Sequence, residues 1–413
     1  MRICFVSRRY WPAVSGMSAY AENLLRHLVR AGHDVTLVSQ FRGDAAGRAV
    51  YGGGPPPPDR VPAGVTVYAL EAHGEQAVGR GEPADFEADV AAMTATVLRL
   101  HARRPFDVLH AQYAYPNGLA VLRAARAAGL PAVVSVQGGD GHWVGTCCDT
   151  HRQLVRAVFA AAPALLIGSE SFAAEVCDRH GVDPARFTVV PGATDTDRFA
   201  PSRPFGELSD PPVLLYHGRV DARKGVLDLL DAVAKVRADG TPVRLLISGI
   251  GPDVEATTSR VAELGLTDDV EQLGAVPYET AHQVYARGDI FVSPTYAEGF
   301  SNTILEAMAS GLPVVSTDVV GVRDCVRPED NGLLVPAGDA AALATAVRRL
   351  LADADLRTRL AARARRDVVR DWSWPVVAGR VTAIYDGLGT TVPEIADPPP
   401  DRACRFRAAP HLL

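Results

Sequence analysis

The chain is expected to fold as an α/β protein built from two doubly wound, parallel-sheet halves. Three observations predict this. Short runs rich in Val, Ile and Leu alternate with helical patterns along most of the chain, as in βαβ units whose strands are covered on both faces. The alternation stops at Asp197–Pro212, where proline and charge cluster, and then restarts. At 413 residues the chain is also too long for a single hydrophobic core.

The first half opens with a strand over Arg2–Ser7. The loop Tyr10–Gly16 ends in small residues, and a helix follows with Met17, Tyr20, Leu24, Leu25 and Leu28 on one face, stopping at Gly32. Asp34–Gln40 is the next strand, completing a parallel unit. The glycine and proline run Gly52–Pro58 is a stiff surface loop. Further strands are Val65–Leu70, Asp107–Gln112, Ala132–Gln137, Ala164–Ser169 and Phe187–Pro191, with helices clearest over Asn117–Ala128 and Ser171–His180. Asp197–Pro212 is the expected linker. In the second half the strands are Val213–Gly218, Val243–Gly249, Val270–Val276, Ile290–Thr295, Pro313–Thr317 and Gly332–Val335. Helical patterns cover Ala340–Leu351, Leu356–Arg366 and Trp374–Leu388, and the tail from Thr390, rich in proline and charge, is expected to be disordered. The division is therefore 1–200, 201–371, a closing helix in 372–390 and a tail over 391–413. In open parallel sheets ligands bind beyond the carboxyl ends of the strands, so a cleft between the halves is the expected site.

Composition narrows the function. A net charge of −6 argues against nucleic acid as the main partner. No segment is apolar for long enough to span a bilayer, and the apolar part of Met1–Ser7 is too short for a signal peptide, so a cytoplasmic protein is expected. His142, Cys147, Cys148 and His151 lie close together, but their spacings match no structural zinc pattern and no metal is expected. Of 42 basic residues only Lys224 and Lys235 are lysine, so a lysine that remains can be there for its compact ammonium.

The chemistry gathers in the second half. Glu298-Gly-Phe-Ser-Asn-Thr-Ile-Leu-Glu306 follows a strand and leads into a helix from Asn302 that stops before Gly311-Leu-Pro313. Ser301 can cap that helix, and its first-turn amides can receive an anion. Glu306 lies one turn in among Ile304, Leu305, Ala307 and Met308, where a carboxylate needs a polar partner such as a sugar hydroxyl pair. After the first strand of this half comes Gly218-Arg219-Val-Asp-Ala-Arg-Lys224-Gly225, in which Arg219 ends the strand, Lys224 opens the following helix, and the two offer a guanidinium fork and an ammonium to phosphate oxygens. Gly249-Ile-Gly251-Pro252 also ends a strand and lets a ring or ribose approach the backbone; it lacks the third glycine of a dinucleotide fingerprint.

Together these motifs resemble the retaining glycosyltransferases of family 4, with the GT-B fold of two Rossmann-like domains. The matching residues are the Ser15-Gly16 loop, the Pro191–Phe199 segment, Gly218-Arg219 with Lys224-Gly225, Gly249-Ile-Gly251-Pro252, and Glu298 with Glu306, seven residues lying between them. The resemblance runs from Met1 to about Leu388. It implies that Arg219 and Lys224 hold a donor diphosphate, that Glu298 contacts the transferred sugar near its reacting end, and that Glu306 holds the ribose hydroxyls. The amides of Phe300, Ser301, Asn302 and Thr303 would meet the phosphates, Gly16 would let the first loop close over them, and Trp374–Leu388 would return to the first domain. The family usually has Gly-Gly at Ser15-Gly16 and often Asn-Gly at Gly192-Ala193. It often has His at Gln137, which ends the strand before Gly138-Gly139-Asp140. Glutamine can bond a hydroxyl but carries no proton at neutral pH. His142 is a candidate substitute, and Asp140 with His142 a candidate sugar or acceptor contact.

The function implied is sugar transfer from a nucleotide-diphosphate donor, of the UDP-N-acetylglucosamine or GDP-mannose type, to an acceptor hydroxyl with retention. With Arg219, Lys224 and helix amides facing the leaving diphosphate, no cofactor is required. The acceptor is expected to be soluble, a small saccharide or an aminocyclitol, contacted by 41–64 and Gly138–Thr150; Val97–Arg104 is only a weak basic amphipathic candidate for a membrane surface. Competing readings are a phosphorylase, hydrolysis of the nucleotide sugar, a dinucleotide-dependent oxidoreductase, which would need a complete glycine fingerprint after Val6, and a non-catalytic scaffold. Front-face attack and a covalent intermediate remain alternatives.

Overall fold

The computed structural model describes residues 1–13 and 15–410. The chain divides into two compact units, one comprising Met1–Pro191 with the segment from Ala378 onward, the other Gly192–Val377.

The first unit holds a seven-stranded sheet of β1 (Arg2–Arg8), β2 (Asp34–Phe41), β3 (Val65–Glu71), β4 (Val108–Gln112), β5 (Ala132–Val136), β6 (Ala164–Ile167) and β7 (Phe187–Val189). The order is β3-β2-β1-β4-β5-β6-β7, and every pairing is parallel. β4 and β5 are buried at every position, which is why they read as unbroken apolar runs rather than alternating ones. The helix Gly16–Arg30 starts where Ser15, in extended conformation, accepts from the Ser18 amide. It buries Leu24, Leu25 and Leu28.

The second unit has a six-stranded parallel sheet, β8 (Val213–His217), β9 (Arg244–Ser248), β10 (Val270–Gly274), β11 (Ile290–Ser293), β12 (Val314–Thr317) and β13 (Leu333–Val335), in the order β10-β9-β8-β11-β12-β13. β8 pairs with β11, Leu214 opposite Ile290 and Leu215 opposite Phe291, so the strand order reverses there. Open parallel sheets bind ligands at such a switch point, beyond the carboxyl ends of the strands. Leu229, Leu230 and Val233 of the helix Val226–Ala238 pack on one face, with Leu343 and Val347. Leu305 and Met308 pack on the other, with Phe199 and Trp372.

Two expectations change. Asp197–Pro212 is not a free linker. Phe199 is fully buried in the second core, and Arg365 donates to the carbonyls of Phe199 and Thr196 at 2.8 and 2.9 Å, so the division falls at Pro191, ahead of this segment. The tail is not disordered over 390–410 either, and 411–413 lie outside the described residues. Val392, Cys404, Phe406 and Arg407 are buried in the first unit, and the Arg407 guanidinium donates to Ala84 O at 2.9 Å and to Glu87 Oε2 at 2.8 Å. Low apolar content hid these anchors, and Arg407 works through partners 323 and 320 positions away in the chain. The helix Trp374–Asp386 contributes Tyr385 to the first unit, its hydroxyl 2.6 Å from His110 Nδ1.

Candidate active site

The segment after β8 turns sharply. Asp221 accepts from the Arg223 amide at 2.9 Å, and Ala222–Lys224 forms a single 3-10 turn rather than the start of the helix. Gly225 ends the turn at φ +70°, and a side chain there would strike the Pro294 carbonyl. Tyr296 N donates to Arg223 O at 3.0 Å. The loops after β8 and β11 are thus held backbone to backbone, and this contact sets where Lys224 and Glu298 stand.

Lys224 Nζ lies 2.7 Å from Glu298 Oε1 and 3.4 Å from Ala297 O. Glu298 is itself braced, its amide donating to Val320 O at 3.1 Å. Arg219 is aimed by Asp221, its Nε 3.1 Å from Oδ2, and Arg223 grips the same carboxylate through Nε at 3.0 Å and Nη2 at 2.6 Å. The hydrogen bonds from Arg223 hold the Asp221 carboxyl down at about 2, so it stays charged. Gly218 and Gly251 border the same strand ends. At Gly249, φ +141°, a side chain would meet the Gly218 carbonyl, so the ends of β8 and β9 approach more closely than any other residue permits.

The helix runs over Asn302–Ala309, and Ser301 makes no side-chain cap. Its Oγ stands 3.3 Å from Thr303 Oγ1 instead. The amides of Asn302 and Thr303 are therefore not consumed by the side chain predicted to hold them, which suits an anion at this end. Phe300 packs on Trp372, ring centroids 5.9 Å apart. Glu306 is 8 % exposed, and Tyr285 OH donates to its Oε2 at 2.7 Å. Burial pushes its carboxyl up to about 7.

The remaining predicted residues belong to the first unit. Gly16 begins its helix with open space around the position of a side chain. Gln137 is half-buried just past β5, at the head of a short helix Gly138–His142 that replaces the expected loop. Asp140 is fully buried, and its Oδ2 accepts from Ala114 N at 2.6 Å and Gln137 N at 3.2 Å. Burial raises its carboxyl to about 7. His142 is buried too, Nδ1 2.9 Å from Glu175 Oε1 and its ring 4.7 Å from Phe172. Asp140 holds the backbone that carries Gln137, and His142 pairs with Glu175 through Nδ1 while its Nε2 is buried without a hydrogen-bond partner.

Sequence reasoning missed Asp221 and Tyr285. Asp221 had a signal, a carboxylate between two arginines in one turn. Tyr285 had none, since only the fold brings it to Glu306.

The chain matches the family model for glycosyl transferases group 1 over residues 211–353 and that for the glycosyl transferase 4-like domain over residues 15–193. It is 31 % identical over 395 residues to a D-inositol 3-phosphate glycosyltransferase of Geodermatophilus obscurus, covering 90 % of this chain and 84 % of the relative. It is 29 % identical over 407 residues to a glycogen synthase of Mycobacterium tuberculosis, covering 93 % and 94 %. The fold is similar to that of Anabaena HepE, solved in complex with UDP and glucose, with a TM-score of 0.72 and 18 % identity, covering 94 % of this chain and all of that one. Among the described residues no helix is long and apolar enough to cross a membrane. With Arg219, Lys224, Glu298 and Glu306 in their motif order beyond the ends of β8 and β11, the chain belongs to the group 1, family 4 glycosyltransferases of the GT-B fold.

Proposed function

We propose that this glycosyltransferase moves a hexosyl group from a nucleotide-diphosphate sugar to an acceptor hydroxyl with retention of anomeric configuration. The observation that carries the reading is the Lys224–Glu298 contact of 2.7 Å beside the uncapped helix at Asn302. An ammonium, a guanidinium aimed by Asp221 and two helix amides face the end of the sheet where a departing diphosphate gains charge. Such preorganised groups stabilise the leaving group as the sugar–phosphate bond breaks. The incoming hydroxyl bonds to the anomeric carbon and passes its proton to the departing phosphate oxygen, so no strong protein base is needed. Glu298 steadies positive charge at the sugar and keeps Lys224 in place, Glu306 holds the ribose hydroxyls, and the diphosphate needs no divalent cation.

UDP-N-acetylglucosamine and GDP-mannose are the donor types we favour, UDP being the nucleotide seen in the similar HepE structure. A cyclitol or aminocyclitol acceptor is in keeping with the inositol phosphate named for the Geodermatophilus relative. A thermal-shift screen with UDP- and GDP-sugars tests the donor, because ligand at a hundred times its dissociation constant stabilises by about 2.7 kcal/mol. Resolving the anomer of the product by NMR, with and without acceptor, tests the rest. An inverted product removes the retaining reading, and acceptor-independent sugar release replaces transfer by hydrolysis.

A further inference from the structure

We propose that the first unit carries a structural zinc site formed by Cys147, Cys148, His151 and Cys404. Their ligating atoms all lie within 4.8 Å of one another. The three sulfurs surround one nitrogen: Sγ of Cys147, Cys148 and Cys404 stand 3.1, 3.3 and 3.4 Å from His151 Nδ1. The two neighbouring sulfurs are 4.0 Å apart. A tetrahedral zinc ion with bonds of about 2.3 Å to sulfur and about 2.0–2.1 Å to nitrogen holds its ligand atoms roughly 3.5–3.8 Å from each other, so small side-chain adjustments close the shell. Three cysteines and one histidine are an established structural zinc donor set.

Thiol packing alone explains the cluster poorly. Nδ1 of a neutral imidazole can accept from one S–H, which leaves two thiols crowded on the same atom. His151 is fully buried, as are Cys148 and Cys404 nearly so, and the cysteines are unpaired by disulfide. Cys148 caps the helix Asp149–Ala161, its sulfur accepting from the His151 amide at 3.5 Å, which fixes where the sulfur stands.

The chain is arranged to deliver the fourth ligand. Cys404 joins from 253 positions along the sequence. Its approach is fixed by Thr150, which donates to Pro399 O at 2.6 Å and accepts from the Asp401 amide at 2.8 Å. On binding, three S–H protons pass to solvent and three Zn–S bonds and one Zn–N bond form, so affinity is tied to pH and to folding. The ion would pin the C-terminal segment to the first unit and close a very long loop, leaving the reaction centre in the second unit without a direct part in it. The proposal does not rest on the reading of the reaction.

The test is elemental analysis of the full-length chain, purified reduced, without chelator and without a metal-affinity tag. About one zinc per chain is expected. Replacing it with cobalt(II) should give thiolate-to-cobalt charge-transfer absorption and the intense visible bands of a tetrahedral site. Cys404→Ala and, at the partly exposed position, Cys147→Ala should each lose at least roughly tenfold in retention against a competing chelator, while Cys177→Ala retains the metal. Two variants guard against one failing to fold, and the cobalt spectrum of the unaltered chain needs neither. A chain free of zinc after growth and reduction in zinc-supplemented medium overturns the proposal. So does a Cys404–Cys148 disulfide in its place, an octahedral cobalt spectrum, or full retention in both variants.

Discussion

Lys224 Nζ and Glu298 Oε1 stand 2.7 Å apart, although the residues are 74 positions apart in the chain. The ammonium proposed for the diphosphate is therefore already partnered before any ligand arrives. A donor must share it with Glu298, which splits the effects of the two residues in a recognisable way.

Glu298→Gln should lower turnover by at least roughly a hundredfold, the scale of one lost transition-state contact, without weakening the nucleoside diphosphate. Affinity should hold or rise, because the amide no longer competes for the Lys224 charge. Steady-state kinetics and calorimetry on the folded variant check both parts, and near-normal turnover would falsify the assignment of Glu298.

Arg219→Ala and Lys224→Ala should each weaken UDP or GDP by about 1.5–3 kcal/mol, the worth of a charge-assisted hydrogen bond. Asp221→Asn, which only loosens the aim of Arg219, should cost less. Unchanged affinity in both alanine variants puts the diphosphate elsewhere.

Glu306 ties donor binding to pH. Burial holds its carboxyl at about 7 in the ligand-free chain, well above its ordinary value. Ribose hydroxyls donating to it favour the carboxylate, so binding expels a proton and affinity for the nucleotide sugar should rise with pH up to about 7 and then level off. The same raised value means that this group disfavours the fold increasingly as pH climbs from the unfolded range toward 7. Glu306→Gln should flatten the pH dependence of affinity in calorimetry with an intact nucleotide sugar. A dependence as steep in the variant as in the parent assigns it to another group.

Gln137→Ala should cost roughly tenfold to a hundredfold in kcat/KM, the range of one or two hydrogen bonds, and add no ionisation to the pH–rate profile. His142→Ala should act through the support of its helix by Glu175 and leave the limbs of the profile where they are. A limb of the profile lost in His142→Ala would make the histidine the proton carrier instead.

Much of this molecule was legible locally. β4, β5 and β12 announce themselves as short apolar runs because both faces are covered. The Gly311–Pro313 stop limits the helix at Asn302 because a left-handed glycine and a proline cannot continue it. Arg219, Lys224, Glu298 and Glu306 could be picked out because each sits at a predicted strand end or helix start, where parallel sheets present their ligating groups. The helix begins after Lys224, not at it, because the 3-10 turn is set by Asp221 and by Gly225 against Pro294 in the segment just past β11.

Residue periodicity and turn chemistry act over a few positions, and for this chain they are enough to specify alternating strands and helices, two parallel sheets and the candidates for phosphate and sugar. Pairing across long separations follows from strand order and packing, which no local pattern encodes. The fold alone joined β8 to β11 and so set Lys224 against Glu298, brought Tyr285 to Glu306, drew Phe199 into the second core, and carried Cys404 to His151 from a tail whose composition reads as disorder. Each of these depends on burial shared between distant segments, and burial is a property of the assembled sheet rather than of any stretch within it.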